Sequence, residues 1–345
     1  MTNQHEITKR MPLLNREGNL TEPGWARGLL WDYHRPDIRA SGMRIKEWDY
    51  YFVSNGHIGL ALTIADNGYM GLDSVSYLNF DEKWEITKSP MRLLPMGKTA
   101  LPETSAAGSS EIARGGYALA FYHDDDGTRK LTFHMDKFRG KDAIEGMISL
   151  SDEPAESMVI ATPFEKAGHF YYNQKINCMR ASGWIELGGA RVELDPKTWF
   201  AVLDWGRGVW TYHNTWYWGS ASGELDGVPF GWNIGYGFGD TRAASENVLF
   251  YGGKIHKLSQ VRFEIPMQDG EEDYLAPWRF SSDDGRFEMA FTPILNRAAY
   301  TSVGVIKSDQ NQVFGRFTGT AALDDGTVLQ VNDFFGFAEK VENKW

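Results

Sequence analysis

WDYYFVSNGHIGLALTIADNGYMGLDSVSYLNF, residues 48–80, reads as three β-strands joined by two tight turns. Asn55-Gly56 and Asn67-Gly68 separate its apolar runs, and Asn-Gly is the strongest two-residue hairpin signal because both positions tolerate positive φ. Further turn signals follow at Asp126-Gly127, Gly188-Gly189, Asp284-Gly285 and Asp325-Gly326. This spacing is too regular for alternating βαβ units, so the sequence predicts an all-β fold.

The composition is typical of a β-rich protein with a substantial core. The length of 345 residues suggests one large domain or two of ordinary size, and a hydrophobic share of 42 % with 14 % aromatic residues is enough for a real core. We predict two lipocalin-like antiparallel β-barrel or β-sandwich lobes with few short helices. An N-terminal arm is expected over residues 1–24, an N-terminal lobe over 25–180 and a C-terminal lobe over 181–345. One short helix is expected at TRAASENVLFY, residues 241–251.

The net charge and the missing motifs limit which partners, metals and cofactors are expected. The formal net charge is −11 with no basic stripe, so neither nucleic acid nor an anionic membrane surface is an expected partner. Cys178 is the one cysteine, and the eight histidines show no metal-ligand spacing, so neither a disulfide nor a metal site is expected. Nucleotide-binding loops and a nucleophile elbow are missing, so we expect no cofactor.

The chain is expected to be cytoplasmic. No apolar run approaches the ~20 residues of a transmembrane segment, and the first residues lack the apolar stretch of a signal peptide. The sequence leaves the oligomeric state open.

LDWGRGVWTYHNTWYWGSASG, residues 203–223, is the most aromatic stretch. Strand alternation puts Trp210, Tyr212, Asn214, Trp216 and Trp218 on one face. In the next strand, PFGWNIGYGFGD (229–240), Trp232 lies on one face, and Asn233 stands alone among glycines on the other. Either tryptophans simply cover these glycines, or aromatic rings wall a pocket with a glycine floor.

Polar groups flank this aromatic stretch on both sides. Asp204 ends an apolar run and needs a partner, which Arg207 could supply as a structural ion pair or as part of an acid–base site. Asp240, Lys254 and His256 follow the glycine strand, and a histidine beside a carboxylate can transfer protons near neutral pH. Each residue alone could be a solvated surface group. Their convergence around one aromatic stretch favours a functional site.

Four segments in order carry a family resemblance: NCMRASGWIELGG, LDWGRGVW, WYWGSASG and GWNIGYGFGDTRAASENVLFYGGKIHKL. They resemble the domain of unknown function 2804 family over nearly the whole chain. More remotely, the sequence is similar to two-lobed lipocalin-like proteins that include carotenoid 1,2-hydratase (hydroxyneurosporene synthase) and AttH-like proteins. That resemblance implies protonation of an alkene by an acidic side chain and capture of the cation by water. Aromatic faces would stabilise such a cation.

Three functions stay open at this point. The first is a cofactor-independent hydratase, lyase or isomerase acting on a small, largely hydrophobic molecule, for example an isoprenoid-like one. In it Asp204 or Asp240 donates the proton, Arg207 and Lys254 are electrostatic partners, and His256 relays a proton. The expected substrate-binding residues are Trp210, Tyr212, Trp216, Trp218, Trp232 and Asn233. The second is a non-catalytic lipocalin-like binding protein, which needs the aromatics but not the acids. The third is a carbohydrate-active enzyme in which tryptophan and tyrosine stack on sugars.

Overall fold

The computed structural model describes residues 4–124, 126–303 and 306–344, and nearly all of its regular structure is β-strand. Two short 3₁₀ helices, Arg35–Asp37 and Gly42–Arg44, precede the first long strand. The first sixteen strands are β1 Met11–Pro12, β2 Gly24–Ala26, β3 Trp31–Asp32, β4 Ile45–Ser54, β5 Ile58–Asp66, β6 Met70–Asn79, β7 Trp84–Lys88, β8 Met91–Leu93, β9 Gly108–Arg114, β10 Tyr117–His123, β11 Arg129–Arg139, β12 Asp142–Ser151, β13 Met158–Pro163, β14 Phe170–Leu187, β15 Ala190–Leu194 and β16 Phe200–Val209.

Eleven further strands complete the chain. They are β17 His213–Leu225, β18 Val228–Tyr236, β19 Val248–Tyr251, β20 Lys254–Lys257, β21 Val261–Glu264, β22 Met267–Gln268, β23 Glu271–Glu272, β24 Trp278–Ser282, β25 Phe287–Val303, β26 Ile306–Ala322 and β27 Val328–Lys344. The Asn-Gly turns predicted between β4, β5 and β6 are present, with Gly56 and Gly68 at φ of +81° and +78°. Positive φ at these positions is why glycine is required there.

Two large antiparallel sheets form the two barrel- or sandwich-like lobes, as predicted. The first sheet has the order β7-β6-β5-β4-β16-β14-β12-β11-β10-β9, with β2, β8, β13 and β15 attached beside it. The second has the order β20-β19-β18-β17-β27-β26-β25-β24-β21. Small two-stranded pairs, β1 with β3 and β22 with β23, lie outside them.

The change of sheet comes between Val209 and His213. The division expected between residues 180 and 181 lies inside β14, which spans Phe170–Leu187. Strands β14, β15 and β16 all belong to the first sheet. The N-terminal arm reaches the second lobe, where the His5 backbone N–H donates to the Ala243 carbonyl at 2.9 Å.

The helix predicted at residues 241–251 does not form: turns lead into β19 instead. The backbone groups of this segment bond elsewhere. The Ala243 carbonyl accepts from His5, and the Ser245 N–H donates to Gln4 Oε1 at 2.7 Å. Since a helix needs those groups for its own i to i−4 bonds, the arm and the helix are alternatives.

Each lobe has its own apolar core, and two more clusters join the lobes. One joining cluster contains Tyr171, Trp210 and Phe238, and the other contains Phe52 and Phe314. Between these clusters the two sheets leave a space that the aromatic stretch borders. No helix in the described ranges is long and apolar enough to cross a bilayer.

Candidate functional site

A cavity of about 310 Å³ lies between the two sheets. The first sheet presents a row of directly paired residues, Tyr50 on β4, Asp204 on β16 and Lys175 on β14. Direct cross-strand partners point to the same face, so all three side chains meet the cavity.

The second sheet presents a longer row across five strands. Its directly paired members are Gly235 on β18, Trp218 on β17, Glu339 on β27, Gln312 on β26 and Arg297 on β25. All but Gly235 line the cavity. The cavity is therefore built from residues far apart in sequence that share one register position.

An ion pair lies within the first row, and its lysine contacts the second row. Lys175 Nζ lies 3.0 Å from Asp204 Oδ1 and 4.0 Å from the centre of the Trp218 ring. Asn173 Nδ2 also donates to Asp204 Oδ1 at 2.5 Å. The two charged side chains are 3 % and 12 % exposed, so neither charge would be tolerated there without the other. The wall thus carries a carboxylate and an ammonium beside an aromatic face.

Glu339 is an acid in the cavity whose pKa is raised. Trp216 Nε1 donates to its Oε1 at 2.9 Å, and Gln312 Nε2 donates to its Oε2 at 3.0 Å. Burial raises the pKa of Glu339 to about 7, and the Trp216 hydrogen bond and the nearby charges of Arg297 and Lys175 do not offset this rise. A carboxyl with this pKa is partly protonated at neutral pH and can donate a proton.

Glu246 fills the place that the glycine face of β18 leaves open. A Cβ on Gly235 would lie 2.6 Å from Glu246 Oε1, so the glycine makes room for this carboxyl. Asn233 Nδ2 donates to the Glu246 carbonyl at 2.9 Å, and Trp218 Nε1 donates to Asn233 Oδ1 at 2.7 Å. Burial raises the pKa of Glu246, and nearby Asp204 adds to the rise. At this position the glycine floor accommodates an acid and not a ring.

Aromatic rings close one end of the cavity. Trp48 and Trp210 have ring centres 5.3 Å apart, and Phe238 lies 4.9 Å from Trp210 and 5.3 Å from Trp216. Gly206 lets the Trp48 indole lie across β16, because a Cβ there would overlap the ring. Ring faces at this spacing form an apolar wall that also favours cations.

Hydroxyl groups and a guanidinium line the opposite end. Arg297 Nη1 donates to Ser76 Oγ at 2.8 Å. Further lining residues at this end are Thr63, Ser74, Thr87, Ser89 and Gln310. The cavity is therefore apolar at one end and rich in hydrogen-bonding groups at the other. Among the described residues, no group of three or more histidine, cysteine or acidic side chains is arranged to hold a metal ion.

Some of the residues expected from the sequence meet at this cavity. Asp204, Trp210, Trp216 and Trp218 line it. Asn233 is fully buried behind Trp218 and holds the Trp218 ring and Glu246 through its hydrogen bonds.

Arg207 is not the partner of Asp204. It lies on the other face of β16, fully buried, where its Nη1 is 3.0 Å from Asp49 Oδ1 and its Nη2 donates to the Pro102 carbonyl at 2.8 Å. Residues three apart in a strand point to opposite faces, so the structure replaces the expected pair with Asp204 and Lys175.

The remaining expected residues lie away from the cavity. Trp232 belongs to the C-terminal core, 5.1 Å from the Phe317 ring, and Tyr212 is 46 % exposed. Asp240 pairs with Arg242, whose Nε lies 2.9 Å from Asp240 Oδ1, and this contact lowers the pKa of Asp240. His256 accepts from the Asp324 backbone N–H at 3.2 Å, and Lys254 is exposed. Proximity in sequence does not bring these groups together, because the chain turns away after β18.

The charged cavity residues that were not expected from the sequence include Lys175, Glu246, Glu339 and Arg297. For Glu339 a signal exists: Phe337, Glu339 and Val341 share one face of β27, so an acid interrupts an apolar face. Lys175 similarly follows Tyr171 and Asn173 on one face of a buried strand. A charged residue on an apolar strand face is a useful marker of such sites.

Gly206→Ala is expected to destabilise the protein by about 1–3 kcal/mol, because the new methyl group overlaps Trp48 and forces that ring to move. Gly28→Ala is the matched control, since a Cβ there has open space around it. Urea unfolding followed by tryptophan fluorescence measures both. Equal stabilities of the two variants would show that Trp48 does not depend on the glycine.

The chain belongs to the family described as domain of unknown function (DUF2804), whose model matches residues 4–345. A search among curated proteins gives no match. An AttH-like protein from Nitrosomonas europaea has a similar structure, with a TM-score of 0.55 and 14 % identity over 86 % of this chain and 92 % of that one. Kievitone hydratase from Nectria haematococca has a TM-score of 0.49 and 9 % identity over 97 % of this chain and 98 % of that one. The first of these similarities shows the fold.

Proposed function

We propose that this member of the DUF2804 family is an acid–base enzyme of the hydratase, lyase or isomerase type. Its substrate would be a small, largely hydrophobic molecule held in the cavity between the lobes. One observation carries the proposal: Glu339, with a pKa of about 7, shares an aromatic cavity with the ion pair of Asp204 and Lys175. Carboxyl groups whose environments differ in this way are suited to separate acid and base roles.

The proposed reaction begins with proton transfer from Glu339 to one carbon of a carbon–carbon double bond. The π electrons form the new C–H bond, the other carbon becomes a cation, and Glu339 becomes a carboxylate. The faces of Trp216 and Trp218 stabilise the positive charge. Water then adds to the cation and loses a proton to Asp204, and exchange with solvent resets both acids. The reverse sequence is a dehydration, and loss of a different proton from the cation is an isomerisation.

Cavity size supports a compact substrate. About 310 Å³ is near the lower end of the range for ligand pockets, about 300–1,000 Å³. Arg207, Lys254, His256 and Asp240 have no role in this mechanism because each lies away from the cavity. The proton donor is thus Glu339 in place of the aspartates considered from the sequence.

Mass spectrometry of an organic extract of the natively purified protein is the first test. We expect one stoichiometric apolar molecule that is missing from a blank. Incubating that molecule with the protein in deuterated water should place deuterium on carbon, and heavy-oxygen water should label the product if the reaction is a hydration. No label under any condition would contradict an enzyme and favour the binding protein.

Asp204→Asn is expected to lower turnover of that molecule by about 10²-fold or more, because the amide cannot take the proton. Asp240→Asn is the matched control and should leave turnover unchanged, since Asp240 lies at the surface beside Arg242. Steady-state kinetics measures the turnover of both variants, and circular dichroism checks that both are folded. A binding protein would show no turnover at all, keep its affinity in Asp204→Asn and lose affinity in Trp216→Ala.

A further inference from the structure

An exposed apolar patch borders the cavity and has no role in the proposed chemistry. We define the Met-Leu patch as Met43, Met91, Leu93, Leu94 and Met96. Leu93 is 86 % exposed, Met91 66 % and Leu94 57 %. Met43 and Met96 are 46 % and 38 % exposed, and their segments meet where Met96 Cε lies 3.4 Å from the position of a Cβ on Gly42. Exposed apolar residues that cluster in this way mark interaction surfaces.

The backbone beneath the patch is firmly held. The Leu94 N–H donates to the Tyr69 carbonyl at 2.9 Å, and the Met96 N–H donates to the Gly68 carbonyl at 3.0 Å. Leu94 and Met96 have φ of +50° and +53°, a left-handed conformation that large side chains rarely adopt. These apolar side chains are therefore held outward by a fixed backbone.

Exposed cations flank the leucines in a stretch without acids. Residues 86–102, ITKSPMRLLPMGKTALP, contain Lys88, Arg92 and Lys98 and no acid. Arg92 is buried in an ion pair with Asp73, so Lys88 and Lys98 carry the surface charge of this stretch. The formal net charge of the chain is −11. Lys88 and Lys98 are exposed on either side of the leucines. Apolar side chains flanked by cations are the pattern that inserts into an anionic lipid surface.

The patch also adjoins residues that line the cavity. Asn67, Leu72 and Ser89 line the cavity, and each is next to the patch: Leu72 pairs with Met91, and Asn67 precedes Gly68. A molecule bound at the patch would therefore lie close to the cavity wall.

We infer that the Met-Leu patch docks on a lipid bilayer that contains anionic headgroups. This surface charge is local, so it is compatible with the acidic chain as a whole, although total charge alone predicts no such partner. Docking itself is independent of the proposed acid–base reaction. Only the further idea that the substrate enters from the bilayer rests on the proposed function.

Vesicle sedimentation of the full chain tests the inference without any substrate. We expect binding to phosphatidylcholine–phosphatidylglycerol vesicles of about 7:3 and much weaker binding to phosphatidylcholine alone, with a loss at high salt. Leu93→Ser with Leu94→Asn should reduce the partition coefficient at least about tenfold. Asparagine suits the left-handed backbone at position 94, so the fold should be kept.

Two further variants separate the contribution of the lysine charges to vesicle binding from that of the exposed leucines. Lys88→Gln with Lys98→Gln should weaken binding to the anionic vesicles by about thirtyfold and leave binding to phosphatidylcholine unchanged. Leu275→Ser is the control, because Leu275 is a 58 % exposed leucine of the other lobe, and it should bind like the wild type. The inference is overturned if the wild type does not bind anionic vesicles, or if the leucine variant binds equally well. It is also overturned if light scattering shows self-association that the leucine variant abolishes.

Discussion

Glu339→Gln is expected to lower turnover by about 10²- to 10⁴-fold while making the folded protein more stable at pH 8. The loss of turnover follows because glutamine keeps the shape of the acid but has no acidic proton to transfer. In the wild type, turnover should fall as pH rises through about 7, where Glu339 loses its proton. This combination of lost activity and gained stability is the mark of a residue kept for function at a cost to folding.

The gain in stability follows from the direction of the pKa shift. Burial raises the pKa of Glu339 from its ordinary value of 4.5 to about 7, so the folded state binds the proton more tightly than the unfolded state. The free energy of unfolding therefore falls as pH rises from about 4.5 to about 7 and stays lower above that range. The amide removes this loss, which is about 1–3 kcal/mol once screening by water in the cavity is allowed for.

The residues that bond to Glu339 can also form hydrogen bonds with the glutamine side chain of Glu339→Gln. Trp216 Nε1 can still donate to the remaining oxygen. Gln312 Oε1 is buried and, within the described part of the chain, accepts no hydrogen bond, so a turned Gln312 amide would receive the new N–H. The substitution thus changes charge and proton content with little change in packing.

Glu342→Gln is the matched control on the same strand. Lys307 and His213 lower the pKa of Glu342 even though its partial burial acts in the opposite direction. The control should therefore lose a little stability at pH 8 and keep full turnover. Denaturant unfolding at pH 5 and pH 8, with rates across the same range, measures both variants. Normal turnover and an unchanged pH profile in Glu339→Gln would exclude Glu339 as the donor.

Local sequence signals predicted the fold well for a physical reason. Asn-Gly turns need positive φ and strands alternate every second residue, so both leave a mark within a few positions. The same alternation correctly placed Trp216 and Trp218 on one face, because both lie on β17. It is not enough to locate a boundary between sheets, since β14 and β16 belong to the first sheet although much of the chain separates them from β4.

The candidate site was harder to predict because it is assembled by register across strands. Glu339 pairs directly with Trp218, and Lys175 pairs directly with Asp204. No local sequence pattern predicts those pairings. Neighbours in sequence misled for the same reason, as Arg207 shows: it is close to Asp204 along the chain but on the other face of β16.

Lys175→Met is expected to destabilise the protein by about 3–5 kcal/mol. Methionine keeps the length of the side chain and much of its contact with Trp218. It removes the ammonium 3.0 Å from Asp204 Oδ1, so a largely buried carboxylate is left without its counter-ion. Urea unfolding at neutral pH measures the loss.

Lys257→Met is the matched control for removing a partly buried lysine. Lys257 Nζ donates to Ser245 Oγ at 3.0 Å and to the Asn247 carbonyl at 2.9 Å, so its removal leaves neutral acceptors. Burial already lowers the pKa of Lys257 to about 7, so little is lost with its charge. We expect a loss of about 1–3 kcal/mol, smaller than for Lys175→Met.

Adding Asp204→Asn to Lys175→Met should restore stability, because the pair of variants removes both charges together. We expect the double variant to be more stable than Lys175→Met alone by about 1–3 kcal/mol. It should still lack turnover, since the base of the proposed reaction is gone. Strictly additive losses from the two substitutions would show that the ion pair does not hold the cavity wall. Recovery of stability without activity would separate the structural role of this pair from its chemical one: Lys175 makes it possible to keep the Asp204 carboxylate in an aromatic cavity, and Asp204 performs the chemistry there.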